Sequence, residues 1–129
     1  MRAIVPGPAA GEVVTLDEPL SLWGGYDPES GLIVDGAHPQ FGLSLSGKIV
    51  VMAHGRGSSS SSSVLAESLR LGTGPAALVL AEPDQILVVG SLVARLLYGK
   101  VCPVYVGDPG AVNGTYVELN TGEESLGEP

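Results

Sequence analysis

Only six of the 129 residues are lysine or arginine, against fourteen aspartates and glutamates, for a formal charge of −8. Nucleic acids and anionic membrane surfaces are bound through clustered positive charge, so this balance argues against both as partners. It leaves open a small anionic substrate, since one arginine or a set of backbone amides can bind a carboxylate. Aromatic residues are also scarce, with one Trp, one Phe and four Tyr. A core must therefore be assembled from Val, Leu, Ile and Ala. The longest apolar runs reach about half of the ~20 residues that cross a bilayer. No basic segment precedes an apolar one near Met1, as it would in a secretory signal. The expectation is a soluble, cytoplasmic chain.

Cysteine occurs once, at Cys102. It cannot form an internal disulfide, and its place in the apolar run Val101-Cys102-Pro103-Val104 reads as a small buried hydrophobe. One thiol cannot hold an iron–sulfur cluster, which takes three or four cysteines. Were such a cluster needed, another polypeptide would carry it.

What is abundant is glycine, with 19 residues, and proline, with 10. These predict many tight turns between short elements of a single compact α/β domain spanning 1–129. The first half reads as β-rich. Arg2–Val5 and Glu12–Leu16 are extended runs, followed by short apolar runs at Leu20–Trp23 and Leu32–Val34, and Lys48–Ala53 is a strand buried on both faces. The second half alternates. A helix over Ser62–Leu71 is closed by Gly72, and strands are expected at Ala76–Ala81 and Ile86–Val89. A helix over Ser91–Tyr98 follows, then a strand over Val101–Val106 that Pro103 places at an edge or a bulge, and a last strand over Gly114–Leu119. Glu123–Pro129 reads as a frayed acidic tail.

The unusual stretch is Gly55-Arg56-Gly57 followed by six serines, Ser58–Ser63. A serine run is often a flexible linker, and serines also cap helices. This one lies between a buried strand and a helix inside one domain, where a glycine turn feeding a helix N-terminus makes an anion cradle. The pattern is not a Walker loop, because no G-K-[ST] follows. It also lacks the second glycine of a G-x-S-x-G nucleophile elbow. His38 and His54 are the only histidines, which makes a complete Ser-His-Asp triad an unfavoured reading. Trp23 and Tyr26 sit on a glycine-rich loop, where aromatic side chains pack internally or meet a partner. Asp84, in Glu82-Pro83-Asp84, reads as a turn former.

Gly55-Arg56-Gly57-Ser58-Ser59 before a helix resembles the G-x-G-S-S turn of aconitase swivel domains. The resemblance is closer to the small domain of the aconitase X family. It is carried by Glu18-Pro19-Leu20-Ser21, Trp23-Gly24-Gly25, His38-Pro39-Gln40, the Gly55–Ser63 run, Ala81-Glu82-Pro83-Asp84 and Leu97-Tyr98-Gly99, and spans residues 10 to 106. It implies a swivelling β/β/α domain of a hydro-lyase that removes water from a small hydroxy acid. On that pattern Ser58 is the base that takes a proton from carbon, and Arg56, Gly57, Ser59 and Ser60 are substrate-binding. No metal is held by this chain itself, and an iron–sulfur cluster or iron is expected on a large partner subunit. The unbroken serine run resembles the cis-3-hydroxy-L-proline dehydratases more than the mevalonate 5-phosphate dehydratases, whose turn reads G-S-T-V-G-S. Ordinary aconitases place an arginine after the two serines. Ser60 stands there in this chain, which argues against the citrate reaction. A non-catalytic anion-binding regulator, or a scaffold whose serines only cap a helix, are the competing readings.

Overall fold

A computed structural model describes residues 1–119, so the acidic tail expected over Glu123–Pro129 lies outside the described residues. In chain order the strands are β1 (Arg2–Val5), β2 (Ala9–Thr15), β3 (Tyr26–Asp27), β4 (Leu32–Ile33), β5 (Ile49–Met52), β6 (Ala77–Leu80), β7 (Val104–Val106) and β8 (Tyr116–Leu119). The helices are a single turn, α1 (Leu22–Gly25), between β2 and β3, then α2 (Ser61–Leu71) between β5 and β6, and α3 (Gln85–Tyr98) between β6 and β7. Six strands form one sheet in the order β1-β7-β6-β5-β2-β8, and β3 pairs with β4 as a separate hairpin. The stretch β5-α2-β6-α3-β7 is a run of parallel strands joined by helical crossovers. The outer strands β1 and β8 pair antiparallel with their neighbours.

Apolar runs become the central strands because both faces of the sheet are covered. On the helical face, Val50, Met52, Leu78 and Leu80 pack with Leu65, Leu69, Leu87 and Ala94. On the other face, Val13, Ile49, Ala77, Val79, Tyr105, Val117 and Leu119 form a second cluster. Gly72 ends α2 with φ 82°, and its N–H and the following turn satisfy the last carbonyls.

Three local expectations change. Ile86–Val89 is not a strand but the first turns of α3, which runs unbroken to Tyr98. The Asp84 side chain accepts the Leu87 N–H and caps the helix there, while the Ile-Leu-Val-Val run had suggested β structure. Gly90 did not break the helix because it lies where α3 crosses α2. A Cβ there would stand 2.8 Å from the Ser62 carbonyl oxygen and 3.1 Å from Leu65. Leu20–Trp23 does not continue as a strand, since Gly25 N–H donates to the Ser21 carbonyl and closes a turn. Pro103 precedes β7, which is an interior strand. The irregularity falls in its partner β1, between Ala3 and Val5.

Cys102 is fully buried, as its apolar neighbours suggested, and Ser91 Oγ donates to its carbonyl. Burial pushes the thiol from near 9.0 up to about 12. The folded thiol then keeps a proton that the unfolded one releases. Its contribution to stability is complete below about pH 9 and is lost as pH rises toward 12, at about 1.4 kcal/mol per pH unit. Burial also raises Tyr26, whose hydroxyl donates to the Thr73 carbonyl, and this acts in the same direction. The urea midpoint is expected to be flat near neutrality and to fall above about pH 9, with Cys102→Ala flattening part of that fall. An identical alkaline slope in the variant would remove the thiol from the account.

Candidate active site

The strands β5 and β6 are parallel, so their C-terminal ends and the N-termini of α2 and α3 meet at one edge of the sheet. A cleft of about 100 Å³ opens there, lined by Leu20, Leu22, Gly55–Ser58, Ser61, Asp84, Ile86 and Leu87. The chain leaves β5 and must turn sharply to enter α2. Gly57 supplies that turn at φ 95°, and a Cβ on it would collide with Ser21 Oγ. Gly55 is bound behind it, its N–H donating to Asp84 Oδ2 at 3.0 Å. Asp84 Oδ1 accepts Leu87 N–H at 3.1 Å. Asp84 is thus more than a turn former, because one carboxylate caps α3 and pins the loop.

The serines divide sharply by environment. Ser58, Ser59 and Ser60 are exposed, whereas Ser61 is buried, with 3% of its surface accessible. Ser58 Oγ accepts the Ser60 N–H at 3.1 Å, which is the contact that favours negative charge on that oxygen. The amides of Ser61, Ser62 and Ser63 are bonded to the carbonyls of Ser58, Ser59 and Ser60. The Arg56, Gly57, Ser58 and Ser59 amides have no acceptor among the described residues. Arg56 and Gly57 line the cleft with Ser58, while the Ser59 and Ser60 side chains are outside its lining. Arg56 is exposed and has no ion-pair partner among the described residues.

Ser61 and Ser62 reach across the fold rather than bonding within their own turn. Ser61 Oγ accepts Trp23 N–H at 3.2 Å, and Ser62 Oγ donates to the Ile86 carbonyl at 2.6 Å. These two bonds fasten the start of α2 to the α1 turn and to the start of α3. No spacing rule in the sequence foretells either one.

Both histidine rings are engaged with backbone. His38 is buried, with Nδ1 accepting from Gln40 N–H and Nε2 facing the Glu18 carbonyl, while His54 Nδ1 faces the Gly55 carbonyl. Tyr26 is buried and bonded to Thr73. Trp23, by contrast, is 59% exposed beside the cleft. Among the described residues, no group of three or more His, Cys, Asp or Glu could hold a metal ion. No helix among them is long and apolar enough to cross a membrane.

A family model described as the aconitase X swivel domain matches residues 1–126. The chain belongs to that family. This swivel domain is 44% identical over 103 residues to cis-3-hydroxy-L-proline dehydratase of Pseudomonas aeruginosa, covering 80% of the chain and 18% of that enzyme. It therefore spans less than a fifth of the length of that relative. It is 40% identical over 95 residues to the phosphomevalonate dehydratase small subunit of Pyrococcus furiosus, covering 74% of the chain and 71% of the subunit. A crystal structure of Thermococcus kodakaraensis aconitase X in its holo-form superposes with a TM-score of 0.85 at 32% identity, covering 98% of this chain and 95% of that one. The β/β/α swivel architecture expected from the sequence is therefore the observed one.

Proposed function

We propose that this chain is the small, swivelling component of a hydro-lyase that removes water from a small hydroxy acid by β-elimination. The observation that carries the reading is Ser58, an exposed hydroxyl at the cleft of an aconitase X swivel domain, its oxygen facing the Ser60 amide at the start of a helix. A serine hydroxyl ionises far above neutrality, so a serine base needs preorganised donors and positive charge around it. The Ser60 N–H, the α2 N-terminus and Arg56 are those groups here. Ser58 takes the proton from carbon, and the loop amides and Arg56 orient the acid's carboxylate. The departing hydroxyl lies on the side of the site that this chain does not build.

The described residues offer no ligand cluster for an iron centre. The chain's one thiol is buried, held protonated, and committed to the core. We assign any iron–sulfur cluster or iron to a larger aconitase X subunit, with the complex working in the cytoplasm. The favoured substrate is cis-3-hydroxy-L-proline, supported by the unbroken serine run and by the 44% identity to a dehydratase of that name. Mevalonate 5-phosphate is the second reading, supported by the relatives named phosphomevalonate dehydratase small subunit.

Co-purification with the larger subunit, followed by parallel assays on both compounds, tests the proposal. The isolated chain is expected to be folded, colourless and inactive, and the complex to dehydrate the hydroxyproline. Turnover by the chain alone would overturn the shared site. Activity confined to mevalonate 5-phosphate would reverse the choice of substrate.

A further inference from the structure

Three serines are buried among the described residues, Ser61, Ser68 and Ser91. A buried hydroxyl ordinarily gives its proton to a nearby carbonyl. Ser68 does so to Leu65, three residues back, and Ser91 does so to Cys102. Ser61 differs. Its oxygen accepts the Trp23 N–H, its proton has no acceptor among the described residues, and it lines the cleft three residues beyond Ser58. The acceptor side of this hydroxyl is fixed by the Trp23 peptide, so its rotation is restricted and its donor side is left for whatever fills the cleft. Asp84 is the acidic group in the lining, and both its oxygens already hold backbone amides.

We infer that Ser61 is a substrate-contacting residue, donating its hydroxyl proton to a carboxylate oxygen of the hydroxy acid whose proton Ser58 removes. The inference rests on the dehydratase reading and deepens it. Ser58 acts on the bond that breaks, and Ser61 holds a group that does not react. Loss of the Ser61 hydroxyl therefore weakens binding more than it slows the chemical step.

The test uses the complex with the larger subunit and cis-3-hydroxy-L-proline. Ser61→Ala should raise KM about ten- to a hundredfold, as for a lost hydrogen bond to a charged group, with kcat changed less than threefold. Ser61→Thr, which keeps the hydroxyl, should recover most of the KM. The emission of Trp23, the one tryptophan of this sequence, read on the small chain before assembly, reports separately on the structural bond. Altered emission with an unchanged KM would overturn the inference and leave Ser61 as a fastener of the α1 turn. A second arm needs no turnover: calorimetric binding of the same compound to complexes carrying Ser58→Ala, with and without Ser61→Ala. Ser61-dependent binding, together with no turnover of the compound by the parent complex that keeps Ser58, would uphold the contact and remove the dehydratase reading. Equal affinities with and without the hydroxyl would remove the contact, whatever the turnover.

Discussion

Replacing Ser58 with alanine is expected to lower turnover of the assembled complex by ~10²–10⁴, the range for loss of a general base, while leaving the chain folded and bound to its partner. Ser58 is exposed, and its side-chain hydrogen bond among the described residues is the one accepted from the Ser60 amide. Losing a bond of that kind costs at most ~1–2 kcal/mol, even if it acts as a cap. Stability and activity are therefore separable at this position. The neighbouring Ser59→Ala should leave turnover within a fewfold of the parent, since that side chain is exposed and lies outside the cleft lining. A scaffold whose serines only cap a helix predicts a different result, with small and similar stability losses at both positions. Equal, mild effects on turnover at Ser58 and Ser59 would take Ser58 out of the chemistry. Circular dichroism and partner co-elution keep a folding defect from being mistaken for a lost base.

Gly90→Val is expected to cost the domain at least ~2 kcal/mol, read as a fall in Tm of about 10 °C. Helix propensity alone would favour nearly any replacement for a glycine inside α3, by up to ~1 kcal/mol. Packing decides against it. The new Cβ would meet the Ser62 carbonyl at 2.8 Å and the Leu65 Cβ at 3.1 Å, and a backbone oxygen and a fully buried leucine have little room to give. The substitution wedges α3 away from the first turn of α2, which begins directly after the Ser58 loop. Activity of the complex should therefore fall further than the loss of folded protein accounts for. A variant as stable as the parent would mean that the two helices slide apart at no cost.

The sheet was legible because its central strands are continuous apolar runs bounded by glycine and proline, a pattern that survives ignorance of the neighbours. Lys48–Ala53 and Ala76–Ala81 correspond to β5 and β6 within two residues at each end. The start of α3 was not legible. Ile86–Val89 has strand-like composition, and its helical state depends on the Asp84 cap and on the contact that makes Gly90 tolerable. Both are tertiary or stereochemical facts that a hydrophobic pattern does not record. The site shows the same division. Gly57 and the place of Ser58 at a strand-to-helix turn follow from spacing, and the loop does turn there at positive φ. Asp84 reaching Gly55 and Ser61 reaching Trp23 connect residues 29 and 38 apart. Identical letters in a run of six serines give no hint of which one is buried.

Cys102 offers a clock for the whole molecule. A thiol reagent in neutral solution meets a side chain with no accessible surface, buried in the core cluster on the helical face and held protonated. Modification must then wait for that core to open, and its rate follows the free energy of that opening rather than the reactivity of the sulfur. Labelling measured with and without the larger subunit would report whether assembly merely covers this domain or holds its helices shut.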